Sequence, residues 1–87
     1  MLRVNVRDEV NSATIEIEGK LTSDWIAPVF ETWTRLAAEG KKVRLNLTGV
    51  YAVDSRGRLL LREMHRCGVQ LVGAGLVIRG LIEEITA

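Results

Sequence analysis

Apolar and polar residues alternate with a period of two near the start of this chain, and that pattern constrains the fold most. Leu2, Val4 and Val6 alternate with polar residues, as do Ile15 and Ile17 in the next segment. Because successive side chains of a strand point to opposite faces, each segment is predicted to form a strand with one apolar and one polar face. The short polar connection between them predicts an antiparallel hairpin.

After Gly19 the apolar residues follow one another at steps of three and four, which is typical of an amphipathic helix. The stripe consists of Ile26, Val29, Phe30, Trp33, Leu36 and Ala37. Because Pro28 has no amide proton and suits a first turn, we expect the helix to begin near Ala27, and Gly40 should end it.

Strand and helix patterns alternate along the rest of the chain. We predict a strand over residues 43–47, a loop over residues 49–54, a helix from Ser55, a short strand over residues 69–72 and a final helix over residues 76–85. The inward residues of the second helix are predicted to be Leu60, Leu61, Met64 and Cys67. Those of the third are predicted to be Val77, Ile78, Leu81 and Ile85.

The resulting order, β-β-α-β-α-β-α, predicts an α/β domain with a four-stranded mixed sheet. The first two strands should be antiparallel, and the later strands, joined through helices, should be parallel with right-handed crossovers. Three strands keep polar residues at alternate positions, unlike a sheet that is covered on both sides. We therefore expect two layers with the helices mainly on one face. A chain of 87 residues suits a single domain over residues 1–87.

Composition narrows the classes of function. Twelve Lys and Arg against eleven Asp and Glu leave a net charge of +1, so no global field favours direct binding of nucleic acid. Cys67 has no disulfide partner, and with His65 it gives no zinc spacing, which favours a cytoplasmic protein without a metal or other cofactor. The sequence contains no long apolar run, so we expect no membrane insertion. Without a Ser-His-Asp order or a Walker-type loop, no catalytic residues and no enzyme are predicted.

Residues 43–61 read VRLNLTGVYAVDSRGRLLL, at the junction of the third strand and the second helix. This segment resembles the signature of STAS domains (sulphate transporter and anti-sigma factor antagonist), in which Asp-Ser-Ser-Gly or Asp-Ser/Thr-x-Gly links a hydrophobic strand to a Leu-rich helix. The matching residues are Asp54, Ser55, Arg56 and Gly57. Arg56 stands where the family usually carries a small residue. The resemblance includes Gly-Lys-Leu at residues 19–21 and covers roughly residues 2–75.

The resemblance implies a function. In the anti-sigma factor antagonists, the serine after the Asp is phosphorylated by a kinase that is also the anti-sigma factor. Ser55 matches that serine, so the chain is expected to bind an anti-sigma factor or similar serine kinase and to release it when phosphorylated. An alternative is an accessory subunit of a lipid-transport ATP-binding cassette complex, which would contact a transporter ATPase. A third is a domain that builds homo-oligomers.

The residues themselves leave several interpretations open. Ser55 stands where a helix N-cap belongs, so it either only caps the second helix or is also a phosphorylation site, since a helix N-terminus favours an anion. Asp54 either favours the turn, accepts hydrogen bonds in the loop or holds a phosphate-bound metal for a kinase. Gly57 either allows another part of the backbone to approach closely or avoids a clash within the loop.

Three arginines, Arg58, Arg62 and Arg66, are four residues apart and form one row along the second helix. Such a row is either a solvated face or a surface for an acidic partner or anionic lipid. Leu59 beside the row is either an interface anchor or peripheral core. The predicted partner-binding residues are Asp54, Ser55, Arg56, Gly57, Arg58, Leu59 and Arg62.

Overall fold

The secondary structure follows the predicted element order. The computed structural model describes residues 2–87, so Met1 of the predicted domain lies outside the described residues. The elements are β1 (Leu2–Asp8), β2 (Ser12–Leu21), α1 (Ser23–Ala38), β3 (Lys42–Val53), α2 (Ser55–Arg66), β4 (Gln70–Val72) and α3 (Leu76–Thr86). The α/β class predicted from the sequence is therefore confirmed.

The four strands form one mixed sheet in the order β1-β2-β3-β4. β1 and β2 are antiparallel, whereas β2 with β3 and β3 with β4 are parallel. This topology confirms the hairpin and the two helical crossovers that the sequence predicts. It also brings the ends of β2 and β3 together beside the N-termini of α1 and α2.

The core lies on one face of the sheet. Ile15 and Ile17 in β2 and Leu45 and Leu47 in β3 are completely or almost completely buried, while the polar residue between each pair is half-buried. Helix residues such as Val29, Leu36, Leu61 and Met64 belong to the same buried cluster. The other face is polar and carries cross-strand ion pairs such as Arg7 with Glu16 at 3.3 Å. The predicted placement of the helices on one face is thus confirmed.

The predicted start of α1 near Ala27 is wrong, because the helix begins at Ser23. Thr22 is the N-cap in an extended conformation, and its carbonyl oxygen accepts the amide of Trp25 at 2.9 Å. Pro28 therefore lies inside the helix, where it lacks the amide that would bond to the carbonyl four residues earlier. Contacts with Asp54, described below, hold the extra turn in place, and no local sequence pattern reports them.

The predicted loop over residues 49–54 is also wrong, because β3 continues to Val53. Gly49 pairs with Glu18, and Val53 pairs with Leu21. The register shifts twice along this pairing, between Glu16 and Glu18 and between Gly19 and Lys20, where β3 contains extra residues. Such bulges break the alternation of apolar and polar residues, so the second half of the strand lacks the pattern that identifies a strand.

Phe30 and Ala37 of the predicted α1 stripe are exposed, and so are Cys67 and Val77, which the sequence predicts to point inward in the later helices. Cys67 lies at the C-cap beyond the last residue of α2, next to the turn at Gly68, where φ is +92°. Val77 lies beside the apolar stripe of α3, whose buried residues are Ile78 and Ile85.

Within residues 2–87, no helix combines the length and apolar character required to cross a membrane.

Candidate functional site

Asp54 connects β3 to α2 and is the N-cap of α2. Its Oδ1 accepts the amide of Gly57 at 2.7 Å, and its carbonyl oxygen accepts the amide of Arg58 at 3.0 Å. The Asp54 amide donates to the Leu21 carbonyl oxygen at 3.2 Å, which continues the strand pairing up to the helix. The prediction that Ser55 is the N-cap is therefore wrong. Strand pairing holds Asp54 in the extended conformation that an N-cap requires, so Ser55 becomes the first helical residue.

The second oxygen of the same carboxylate binds the start of α1. Asp54 Oδ2 accepts the backbone amide of Ser23 at 2.9 Å and its hydroxyl at 3.1 Å. One carboxylate thus joins the N-termini of α1 and α2. Sequence reasoning missed Ser23, because it lies 31 residues before Asp54 and belongs to a turn that the sequence pattern placed outside the helix.

The surroundings of Asp54 favour its ionised form. The pKa of Asp54 is lowered below its ordinary value, and the hydrogen bond from the Gly57 amide is the largest cause. Partial removal from water opposes this effect, while the amide and hydroxyl of Ser23 and the amide of Arg56 reinforce it. An anion at two helix N-termini is also favoured by the helix dipoles. Of the interpretations left open for Asp54, the structure supports its role as a hydrogen-bond acceptor.

Gly57 is buried where the first turn of α2 meets the end of β2. A Cβ atom at this position would lie 2.6 Å from the Leu21 carbonyl oxygen and 2.8 Å from a methyl carbon of Val53. Real Cβ contacts essentially never fall below 3.0 Å. Glycine therefore allows α2 to pack directly on the strand, and of the two interpretations of this residue the structure supports the close backbone approach.

The predicted partner-binding residues surround the N-terminal half of α2. Ser55, Arg56, Leu59 and Arg62 are exposed, and Leu59 exposes 63% of its surface. Asp54 and Arg58 are half-buried. Of the two interpretations of Leu59, peripheral core is thus excluded. The surface formed by Ser55, Arg56, Leu59 and Arg62 is called the α2 surface below.

The row of arginines is partly engaged within the protein. Arg58 Nη1 lies 3.0 Å from Glu84 Oε2 in α3. Arg66 Nη1 lies 3.4 Å from Glu63 Oε2 in the same helix. Such exposed pairs contribute little to stability, yet they hold the side chains in place. Arg58 therefore connects α2 with α3 at the edge of the α2 surface.

A groove of about 440 Å³ lies between the end of β3 and α3, and the sequence did not predict it. Residues 50–53 line one side, and residues of α3 including Leu76 and Val77 line the other, with Arg58 and Glu84 also in the lining. Leu76 and Val77 expose 89% and 79% of their surfaces. A sequence signal exists, because α3 carries more large apolar residues than one buried stripe can hold.

Comparison with known proteins identifies the fold. Neither a protein-family model nor a curated protein matches the sequence. An anti-sigma factor antagonist from Mycobacterium paratuberculosis matches with a TM-score of 0.80 and 16% identity, over 97% of this chain and 77% of that chain. An uncharacterized protein with a SpoIIAA-like fold from Shewanella loihica PV-4 matches with a TM-score of 0.61 and 11% identity, over 87% of this chain and 69% of that chain.

A third solved structure, that of Mglu, matches with a TM-score of 0.63 and 24% identity, over 83% of this chain and 19% of that chain. At these identities the likeness concerns the fold. The four-stranded mixed sheet and the helices on one face agree with it. This chain therefore has the SpoIIAA-like fold, the fold of the anti-sigma factor antagonist, as its STAS-like sequence predicts.

Proposed function

We propose that this protein is a non-enzymatic interaction switch that binds a serine kinase of the anti-sigma factor type and is controlled by phosphorylation of Ser55. One observation carries the proposal: Ser55 is exposed as the first residue of α2, while Asp54 makes the capping bond to Gly57 at 2.7 Å. The Mycobacterium protein with the same fold is an anti-sigma factor antagonist, which supports this role.

The position of Ser55 suits a change of charge without a change of fold. Phosphorylation adds about −1.5 to −2 charges, and a helix N-terminus favours an anion through its dipole and its exposed amides. The Asp54–Gly57 bond does not involve the Ser55 hydroxyl, so it survives the modification. Arg56, exposed and adjacent, is available to pair with the phosphate.

The α2 surface offers the partner an apolar anchor flanked by positive charge. Leu59 projects from the helix, with Arg56 and Arg62 exposed nearby. Exposed apolar residues surrounded by polar ones are common at protein interfaces, and arginines favour acidic partners. Under this proposal the partner binds the α2 surface with Ser55 unmodified, in the cytoplasm and without a cofactor. A phosphate at Ser55 then places a solvated anion in the interface and releases the partner.

The decisive experiment is to incubate the protein with ATP and each serine-kinase-type anti-sigma factor of the same genome, followed by mass spectrometry. We expect one phosphoryl group on Ser55 with at least one kinase, and weaker kinase binding afterwards. The Ser55→Ala variant should gain none. Ser12→Ala is the matched control, since Ser12 begins β2 at the opposite end of that strand from Leu21 and Asp54, and this variant should still be modified at Ser55. The absence of phosphate on Ser55 with every kinase contradicts the proposal.

A second candidate function is a permanent subunit of a membrane transport complex. The exposed apolar residues Leu76 and Val77 beside the groove favour it, because permanent interfaces bury apolar surface. Purification of the tagged protein from its host distinguishes the two functions. Recovery with a transporter ATPase that persists in the Ser55→Ala and Ser55→Glu variants supports the subunit, whereas recovery with a soluble kinase that Ser55→Glu abolishes supports the switch.

A further inference from the structure

An ion pair connects α2 with α3 close to the proposed phosphorylation site. Arg58 Nη1 lies 3.0 Å from Glu84 Oε2, and the two side chains are 41% and 62% exposed. Of the ion pairs formed within residues 2–87, this one alone joins two helices. Both residues also line the groove between β3 and α3, so a change in this pair changes the wall of the groove.

α3 has few local features that stabilise a helix. Its N-cap, Gly75, provides no side-chain hydrogen bond, and Gly80 lies within the helix. Its last turn contains Glu83 and Glu84 but no basic residue, although the dipole favours cations at the C-terminus of a helix. Arg58 therefore supplies, from α2, a positive charge that the end of α3 lacks.

Helix geometry places Ser55 near Arg58. Residues three apart lie on the same side of a helix, with their Cβ atoms about 5–6 Å apart. Side chains of a helix also lean toward its N-terminus, so the Arg58 side chain can reach the turn that begins with Ser55. Arg56 directly follows Ser55 and, at about 100° per residue, points to another side of the helix. Arg58 is therefore better placed than Arg56 to pair with a phosphate on Ser55.

We propose that a phosphate on Ser55 pairs with the Arg58 guanidinium in place of Glu84, so that modification at the start of α2 also loosens α3. The presence of the phosphate rests on the proposed function. A phosphate carries about −1.5 to −2 charges and three acceptor oxygens, so the guanidinium favours it over a single carboxylate. Glu84 then has no cation beside it, and the end of α3 opens more often. Ile78 and Ile85 stay in the core, so α3 loosens without leaving the sheet.

Phosphoserine placed at position 55 during translation tests this coupling without a kinase. A negative result here is therefore distinct from failure of the proposed function, in which no kinase modifies Ser55. The measurement is hydrogen exchange of the amides of α3 in the whole protein, followed by NMR. Phosphorylation should make this exchange about two- to fivefold faster, as expected for the loss of one exposed ion pair. Amides of the hairpin formed by β1 and β2 should exchange at unchanged rates.

Two variants identify the arginine that pairs with the phosphate. Arg58→Gln alone should make exchange in α3 faster by a similar factor, and phosphoserine in this variant should add little, because the ion pair is already lost. Arg56→Gln is the matched control, because Arg56 is exposed on the same helix and forms no ion pair within residues 2–87. Phosphoserine should have its full effect on α3 in this variant.

Three results overturn the proposal. The first is an exchange rate of α3 that phosphorylation leaves unchanged. The second is Arg58→Gln that exchanges like the unmodified protein or still shows the full effect of phosphoserine, because the ion pair with Glu84 then does not hold α3. The third is loss of the effect in Arg56→Gln, because Arg56 then binds the phosphate.

Discussion

Replacing Gly57 with alanine tests how tightly α2 is packed on the sheet. The added Cβ would lie 2.6 Å from the carbonyl oxygen of Leu21, which already accepts the amide of Asp54 at 3.2 Å. Leu21 pairs with Val53 in β3, so its carbonyl group is part of the sheet and cannot easily move. The helix has to move instead, and this movement strains the Asp54–Gly57 hydrogen bond.

Two opposing effects determine how much Gly57→Ala changes the free energy of unfolding. In an exposed helix, alanine in place of glycine stabilises by about 1 kcal/mol. Overpacking a close contact costs about 1–3 kcal/mol, and here the contact involves backbone as well as the Val53 side chain. Because backbone is involved, we expect a cost in the upper part of this range, about 2–3 kcal/mol, so the net change lowers the free energy of unfolding by about 1–2 kcal/mol. For a domain of this size, each kcal/mol lowers Tm by about 4–8 °C.

Urea denaturation monitored by circular dichroism measures this change, with Gly80→Ala as the matched control. Gly80 also lies within a helix, α3, but apart from its chain neighbours and the nearby backbone of its own helix no heavy atom lies within 4 Å of its added Cβ. The control should therefore raise the free energy of unfolding by about 0.5–1 kcal/mol. Opposite signs for the two variants support the close approach at Gly57. A stabilisation by Gly57→Ala comparable with that of Gly80→Ala would refute the reasoning.

Three further substitutions test the cap and the core by urea denaturation. Because folding lowers the pKa of Asp54, its carboxylate stabilises the protein fully at pH values above its ordinary pKa of 3.8, and this stabilisation is lost as the pH falls through the pKa of the folded state. Asp54→Asn should therefore make the free energy of unfolding depend less on pH in the acid range. An unchanged pH profile contradicts this expectation. Ser55→Ala should change the free energy of unfolding by less than about 0.5 kcal/mol, and a loss above about 1 kcal/mol would make Ser55 the cap. Leu47→Ala, at a completely buried position, should cost about 2–5 kcal/mol, and a cost under about 1 kcal/mol would contradict the core described here.

The parts of the fold that the sequence predicts are those determined by neighbours along the chain. Alternation around Ile15 and Ile17 identifies a half-buried strand, and the spacing of Val29, Trp33 and Leu36 identifies a helix. The errors occur where distant contacts decide. The first turn of α1 is held by Asp54, and the second half of β3 pairs with β2 through bulges that hide its periodicity.

The candidate site likewise has one part that the local sequence predicts and another part that depends on distant contacts. The Asp-Ser-x-Gly pattern is local, so it located the start of α2 and the exposed Ser55. It did not distinguish Asp54 from Ser55 as the cap, because both residue types favour that position and strand pairing decides between them. The groove depends on how α3 packs beside β3, and on β4 ending after three residues. Neither follows from local periodicity.

The division of roles between Asp54 and Ser55 explains why an acidic residue precedes the exposed serine. If the serine hydroxyl capped α2, a phosphate on it would disturb the capping bond, and modification would be coupled to loosening of the helix. Here Asp54 binds Gly57 and Ser23 through both carboxylate oxygens, so the bonds that join α1 and α2 do not involve the Ser55 hydroxyl. A phosphate on Ser55 would still meet the like charge of Asp54, which the amides of the first turn and Arg56 offset. Under the proposed function, the modification therefore alters what the α2 surface binds while the helices that form it remain in place.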